Sequence, residues 1–121
     1  TLAIVHADSP EECFNRMITM MLMSGIRLTG DQIRRQLATS VDLIVYSELF
    51  MDGIRRVVNI TDLCYDRQVE KVSLQDIFTF KQERVEENGK VIGDWGMYRR
   101  IPSFAHKFTK RNIRLPNEFI V

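Results

Sequence analysis

His6 is the first residue in the chain whose type and position suggest chemistry. It follows the apolar run Leu2–Val5 and stands just before Asp8-Ser9-Pro10, a typical helix start. In α/β folds, ligands bind beyond the carboxyl ends of strands, where an imidazole can hydrogen-bond a phosphate or a water molecule. The functional interpretation of His6 is a ligand contact, and the alternative is a histidine that satisfies backbone groups within a turn.

Arginines on two predicted helices are the other candidates for a binding role. They are Arg16 and the adjacent pair Arg34 and Arg35. A guanidinium group is well suited to phosphate and to a carboxylate of a neighbouring subunit, because its planar donors match both. Arg16 and Arg34 are therefore candidate phosphate or inter-subunit contacts, and the alternative is that they lie on solvated helix faces.

The sequence lacks the motifs of a complete catalytic site. It contains neither the phosphate-binding loop Gly-x-x-x-x-Gly-Lys-[Ser/Thr] nor Gly-x-Gly-x-x-Gly. Cys13 and Cys64 have no metal-ligating neighbour at useful spacing, so no metal site is predicted. We therefore predict that the isolated chain does not hydrolyse ATP.

Composition points to an ordinary globular chain. Its 121 residues suit one domain over 1–121, with 45% hydrophobic and 27% charged residues and a net charge of +1. Two cysteines are too few for a disulfide framework and are predicted to be free thiols. No apolar stretch reaches the roughly 20 residues of a membrane span, so a cytoplasmic location is expected. The start, Thr-Leu-Ala-Ile-Val-His, suggests a chain entered in mid-domain.

A basic segment lies near the C-terminus. Residues 95–117 contain no acid but six basic residues: Arg99, Arg100, Lys107, Lys110, Arg111 and Arg114. With its aromatic residues, such a segment can bind nucleic acid or anionic lipid. The interpretation we favour is that it docks on an acidic surface of its own protein, and no nucleic-acid partner is predicted.

The starts of two helices are marked by capping-box spacing, in which Ser or Thr precedes Glu or Gln by three residues. The pairs are Ser9 with Glu12 and Thr29 with Gln32. The first helix should end at about Gly25. Few residues then join the two helices, so they should be neighbours.

The rest of the chain predicts β-hairpins and a short helix. Asp52-Gly53 and Asn88-Gly89 are hairpin-turn signals between runs of β-forming residues. The predicted strand regions are 43–46, 54–60, 69–82 and 90–93, and the predicted helix is 102–111. With Leu2–Val5 as a leading strand that lacks partners, the fold class is α+β.

Several segments together resemble the type II/type IV secretion-system ATPases. Residues 1–12 look like that family's His box, usually a strand followed by His-Ala-Asn-Ser-Pro. Further similar segments follow in the family's order, at 33–45, 52–61, 74–80 and 113–119. The segment 74–80, Leu-Gln-Asp-Ile-Phe-Thr-Phe, is similar to the CpaF branch, the tight-adherence pilus motors. Asp8 departs from the usual Asn, and Arg99-Arg100 stands where the family often has Thr-Gly.

The resemblance implies the C-terminal portion of a RecA-like α/β motor domain. Members are hexamers that use ATP and Mg²⁺ to power pilus assembly or protein secretion, peripheral to the cytoplasmic membrane and in contact with platform proteins there. It implies that His6 couples nucleotide state to the neighbouring subunit, with Arg16 and Arg34 as possible contacts. Because the phosphate-binding loop would lie upstream, no nucleotide is expected on this fragment, which should self-associate through its first strand. The alternative is a stand-alone adaptor without catalysis.

Overall fold

Two helices open the part of the chain that this computed structural model describes, residues 1–119. Helix α1 spans Pro10–Met23 and helix α2 spans Gly30–Ser40. They pack against one another, as their short connection predicted. Gly25, just beyond α1, has φ of +83°, a conformation that glycine adopts without the cost other residues incur.

The two helix starts differ in how completely they are capped. At α2 the predicted capping box is confirmed, because Thr29 Oγ1 accepts the Gln32 N–H at 3.2 Å and the Gln32 side chain accepts the Thr29 N–H at 2.9 Å. At α1 the Ser9 hydroxyl accepts the Glu12 N–H at 3.0 Å. The Glu12 carboxylate, however, binds the N–H of Asp8 rather than that of Ser9, at 2.7 Å.

Four antiparallel strands follow in a meander, each paired with its neighbours in sequence. They are β1 (Leu43–Leu49), β2 (Arg55–Asp66), β3 (Lys71–Val85) and β4 (Val91–Met97). Both predicted hairpin turns are confirmed, and Gly53 and Gly89 have φ of +80° and +83° there. Together with the helices, this sheet makes the fold α+β, as expected.

The core lies between the helices and one face of the sheet. Its buried members are Phe14, Ala38, Ile44 and Leu63, and Ile33 of α2 is also fully buried. The prediction of free cysteines is confirmed, since Cys13 and Cys64 are half-buried and unpaired. Burial raises the pKa of the Cys13 thiol above its ordinary value.

Asp52 ties the two hairpins together at one end of the sheet. Its carboxylate binds the Arg56 guanidinium at 2.7 and 3.0 Å and accepts the N–H of Val91 at 3.2 Å. The guanidinium also lies 5.0 and 5.5 Å from the ring centroids of Phe50 and Phe80. The hydrogen bonds from Arg56 lower the pKa of the Asp52 carboxyl far below its usual range, and those from the Ile54 and Val91 N–H groups lower it further.

The C-terminal segment, residues 98–119, lies against the sheet. It contains helix α3, Ala105–Thr109, and the single 3₁₀ turn Asn117–Phe119. Arg100 donates to the Gln75 side chain at 2.7 Å, and Lys107 binds the carboxylate of Asp42 with both distances at 2.8 Å. The helix predicted for 102–111 is thus shorter, because residues 102–105 form a turn and Asn112 takes a left-handed φ of 56°.

The prediction of a strand at Leu2–Val5 is wrong. This segment forms no strand and pairs with none, and Leu2 and Ile4 are 100% and 92% exposed. Each strand of the meander finds its partner next to it in sequence, so none within residues 1–119 pairs with the N-terminal run. Within the same range, no helix is both long and apolar enough to cross a bilayer.

Candidate functional site

His6 is placed by the start of α1. Just after it, the chain bends at Asp8 and Ser9 into the capped first turn. The Arg16 guanidinium, one and a half turns into the helix, reaches back and donates to the His6 carbonyl oxygen at 2.8 Å. The structure thus brings two of the predicted site residues together, through the backbone of one and the side chain of the other.

A carboxylate completes this arrangement. Glu12 accepts from Arg16 Nε at 3.2 Å with one oxygen and from the Asp8 N–H with the other. The guanidinium is therefore held at two points, the helix side chain and the His6 backbone, and its direction is fixed. The His6 ring takes part in none of these hydrogen bonds, and the residue is exposed. An imidazole on a fixed backbone is available for a phosphate oxygen or a water molecule.

Arg34 lies apart from this pair. It projects from α2 over the ring of Phe14, with its guanidinium carbon 5.1 Å from the ring centroid, and it is half-buried. In the described part of the chain it shares no hydrogen bond or ion pair with His6 or Arg16. Its neighbour Arg35 approaches Glu70 at 3.9 Å, a pair too exposed to contribute much stability. The structure thus assigns Arg34 a packing contact and leaves its predicted ligand contact as a prediction.

Several carboxylates lie near the N-terminal end of α1. Burial raises the pKa of the Tyr46 phenol, and the negative charges of Glu48, Asp8 and Glu12 raise it further. Tyr46 lies on β1, so this strand and the N-terminal end of α1 share an acidic surrounding.

Residues 1–119 contain no group of three or more side chains arranged to hold a metal ion.

No protein-family model matches the sequence, and no curated protein matches it either.

The sequence analysis did not anticipate the contacts of Asp62 on β2, a buried carboxylate. Its side chain is 1% exposed and accepts from Ser103 twice, from the backbone N–H at 2.7 Å and from the hydroxyl at 2.6 Å. The Cys64 thiol also lies 3.3 Å from this carboxylate. Burial, with the negative charge of Asp62, raises the pKa of Cys64 to about 11, so the thiol stays protonated and unreactive.

This buried contact fastens the C-terminal segment to the sheet rather than forming a reactive site. The sequence contains one indication of this contact, because Asp62 interrupts a run of β-forming residues. A carboxylate buried within a strand requires hydrogen-bond partners. A hollow of about 530 Å³ opens nearby, lined by Cys64, Tyr65, Asp66, Arg67, Gln68, Ser73 and Gln75. It lies apart from His6, Arg16 and Arg34, none of which lines it.

Proposed function

We propose that this chain is the C-terminal part of a RecA-like motor ATPase that powers pilus assembly or protein secretion. In this proposal it supplies a histidine that senses the nucleotide and surfaces through which subunits meet in a hexamer. The observation that carries the proposal is the pairing of His6 with Arg16, which fixes the histidine backbone and leaves the imidazole exposed. The order of the family-like segments along the sequence adds to it.

The geometry suits a coupling role. Any ligand that pulls on the His6 imidazole displaces its carbonyl, which is bound to Arg16 on α1. Arg16 also forms an ion pair with Glu12 one helical turn away. A displacement of the His6 carbonyl would therefore move side chains on α1. Helix α1 packs on both α2 and β1, which gives the signal a path into the rest of the domain.

The chain's own residues fit one part of a nucleotide site. An exposed imidazole, with the fixed Arg16 guanidinium close by, can bind phosphate oxygens. The lysine of a phosphate-binding loop and the acidic Mg²⁺ ligand, on which phosphoryl transfer depends, are not in the sequence. We propose that ATP and Mg²⁺ are held by another part of the protein, at the inner face of the cytoplasmic membrane beside platform proteins, and that this chain alone is inactive.

Substitution of His6 tests the role. In the protein that joins this chain to a phosphate-binding loop, His6→Ala should lower ATP turnover by about 10²-fold, the size expected for one lost transition-state contact. The dissociation constant for ATP should change little, because the contact strengthens as charge redistributes. His106→Ala is the matched control, since His106 is also exposed and lies on α3; it should leave both quantities unchanged.

Two results would contradict the proposal. One is a His6→Ala protein that loses ATP binding while turnover at saturation stays normal, which would make His6 a ground-state ligand. The other is ATP hydrolysis by the 121-residue chain alone that survives stringent purification and disappears in His6→Ala.

A further inference from the structure

The turn after α3 carries an exposed positive surface. Lys110, Arg111 and Arg114, here called the basic surface, are all exposed. The turn is closed by the Ile113 N–H, which donates to the Phe108 carbonyl at 3.0 Å, so the three cations extend from an ordered backbone. Within residues 1–119 none of them forms an ion pair. Of the six basic residues in 95–117, Lys107, one turn earlier, is the one that pairs with a carboxylate, that of Asp42.

An exposed negative surface lies around the start of α1. It consists of Asp8, Glu11, Glu12 and Glu48, here called the acidic surface. Asp8, Glu11 and Glu48 are exposed and form no ion pair in the described part of the chain. Arg16 is bound to Glu12 and offsets one of the four charges. An excess of negative charge therefore remains at this end of the molecule.

Within residues 1–119 these two surfaces form no ion pair with one another. The C-terminal segment is tied to the start of β1 by the contact of Lys107 with Asp42. Glu48 lies six residues further along, near the other end of that strand. At about 3.3 Å of rise per residue, Asp42 and Glu48 are about 20 Å apart along β1, well beyond a screening length of about 8 Å at physiological salt.

Apolar residues lie next to both surfaces. Ile113, between the basic residues, is 51% exposed, while Leu2 and Ile4, just before the acidic surface, are 100% and 92% exposed. An apolar centre with a charged rim is the usual composition of a protein–protein interface. A membrane would satisfy only the basic surface, whereas a second copy of the chain brings a complement to both.

We infer that the basic surface of one copy of this chain docks on the acidic surface of a second copy. Such a contact is head-to-tail, because each copy uses a different surface, and repeated contacts of this kind build a ring or a filament. The inference deepens the oligomer in the proposed function and rests on that proposal for the ring. The docking itself needs no nucleotide and is tested without it.

Charge reversal tests the docking. The two variants are Lys110→Glu/Arg111→Glu and Glu11→Lys/Glu48→Lys, each checked for folding by circular dichroism. Sedimentation of the native chain should show association that weakens as NaCl rises from about 50 mM to about 0.5 M. Each variant alone should associate at least about tenfold more weakly, because like charges then face each other. An equimolar mixture of the two variants should associate again, because it restores one native contact.

A matched control reverses two cations elsewhere. Lys81 and Lys90 are exposed on the β3–β4 hairpin, and Lys81→Glu/Lys90→Glu should associate like the native chain. A native chain that stays monomeric, or a mixture that stays monomeric, would overturn the inference. It would equally be overturned if Lys110→Glu/Arg111→Glu lost only binding to phosphatidylserine vesicles and kept its self-association, since the basic surface would then face lipid. The association is measured on the 121-residue chain without nucleotide, so failure of the docking and failure of the motor role are distinguishable.

Discussion

At the scale of single residues, Asp52 shows how a side chain in a turn can influence the whole sheet. It is the common partner of Arg56 in β2 and of the Val91 N–H in β4. The predicted hairpin signal Asp52-Gly53 explained the turn but not this second contact. Its ionised form is favoured in the folded chain because the guanidinium and the N–H groups stabilise the negative charge.

The lowered pKa of Asp52 predicts a specific acid sensitivity. An unfolded aspartate titrates at about 3.9, whereas the folded carboxyl holds its charge to lower pH. This carboxylate therefore stabilises the fold fully above about pH 5 and loses that contribution as pH falls through about 4 toward the folded value. Asp52→Asn should have a lower Tm at pH 7 and a flatter Tm between about pH 5 and 3, as measured by calorimetry. Parallel Tm curves for the two proteins would show that Asp52 does not contribute.

Asp94→Asn is a suitable control for that measurement. Asp94 is an exposed aspartate on β4 and forms no ion pair among the described residues. Its Tm at each pH should follow that of the native chain.

At the scale of elements, the contact of Ser103 with Asp62 helps to hold the C-terminal segment on the sheet. Ser103→Ala removes the hydroxyl that donates to this buried carboxylate at 2.6 Å and leaves one oxygen with fewer donors. The variant should lose about 1–3 kcal/mol of unfolding free energy in urea titration. Cleavage by trypsin after Arg99 or Arg100 should also become faster. Ser47→Ala, at an exposed position on β1, should change neither quantity.

The same elements show what local sequence can and cannot predict. The capping box of α2 and both hairpin turns depend on residues within four positions of each other, and these predictions are confirmed. At α1 the Ser9 cap is confirmed, but the Glu12 carboxylate binds the N–H of Asp8 instead of completing the predicted box. Asp62 and Ser103 are 41 residues apart, so no local pattern joins them. The strand prediction for Leu2–Val5 was wrong because an apolar run indicates a preference for burial but does not identify a strand with which it could pair.

The candidate site likewise has features that the sequence predicts and features that it does not. His6 was identified from its position before a capped helix, and Arg16 from its residue type. Their contact through the His6 carbonyl was not predictable, because it needs the bend at Asp8 and the direction of the Arg16 side chain. Arg34 matched the same chemical argument, but it lies over an aromatic ring instead.

At the scale of the whole molecule, stability is concentrated between the helices and the sheet. Phe14→Ala should cost about 3–5 kcal/mol, because this ring is 1% exposed in the centre of that core. Ile4→Ala should leave the unfolding free energy within about 0.5 kcal/mol, because Ile4 already faces solvent. Denaturant titration of both variants checks this contrast. A large loss in Ile4→Ala would mean that the N-terminal segment packs on the fold after all.

The meander order of the sheet also governs the speed at which the chain finds its structure. Every strand pairs with the strand before or after it, so closing each hairpin loop costs little chain entropy. Such low contact order favours rapid folding of residues 43–97. The contacts of Ser103 with Asp62 and of Lys107 with Asp42 span 41 and 65 residues. Closing such long loops costs more chain entropy, so these contacts should form after the hairpins. The C-terminal segment should therefore be the last part of the chain to fold and the first to detach.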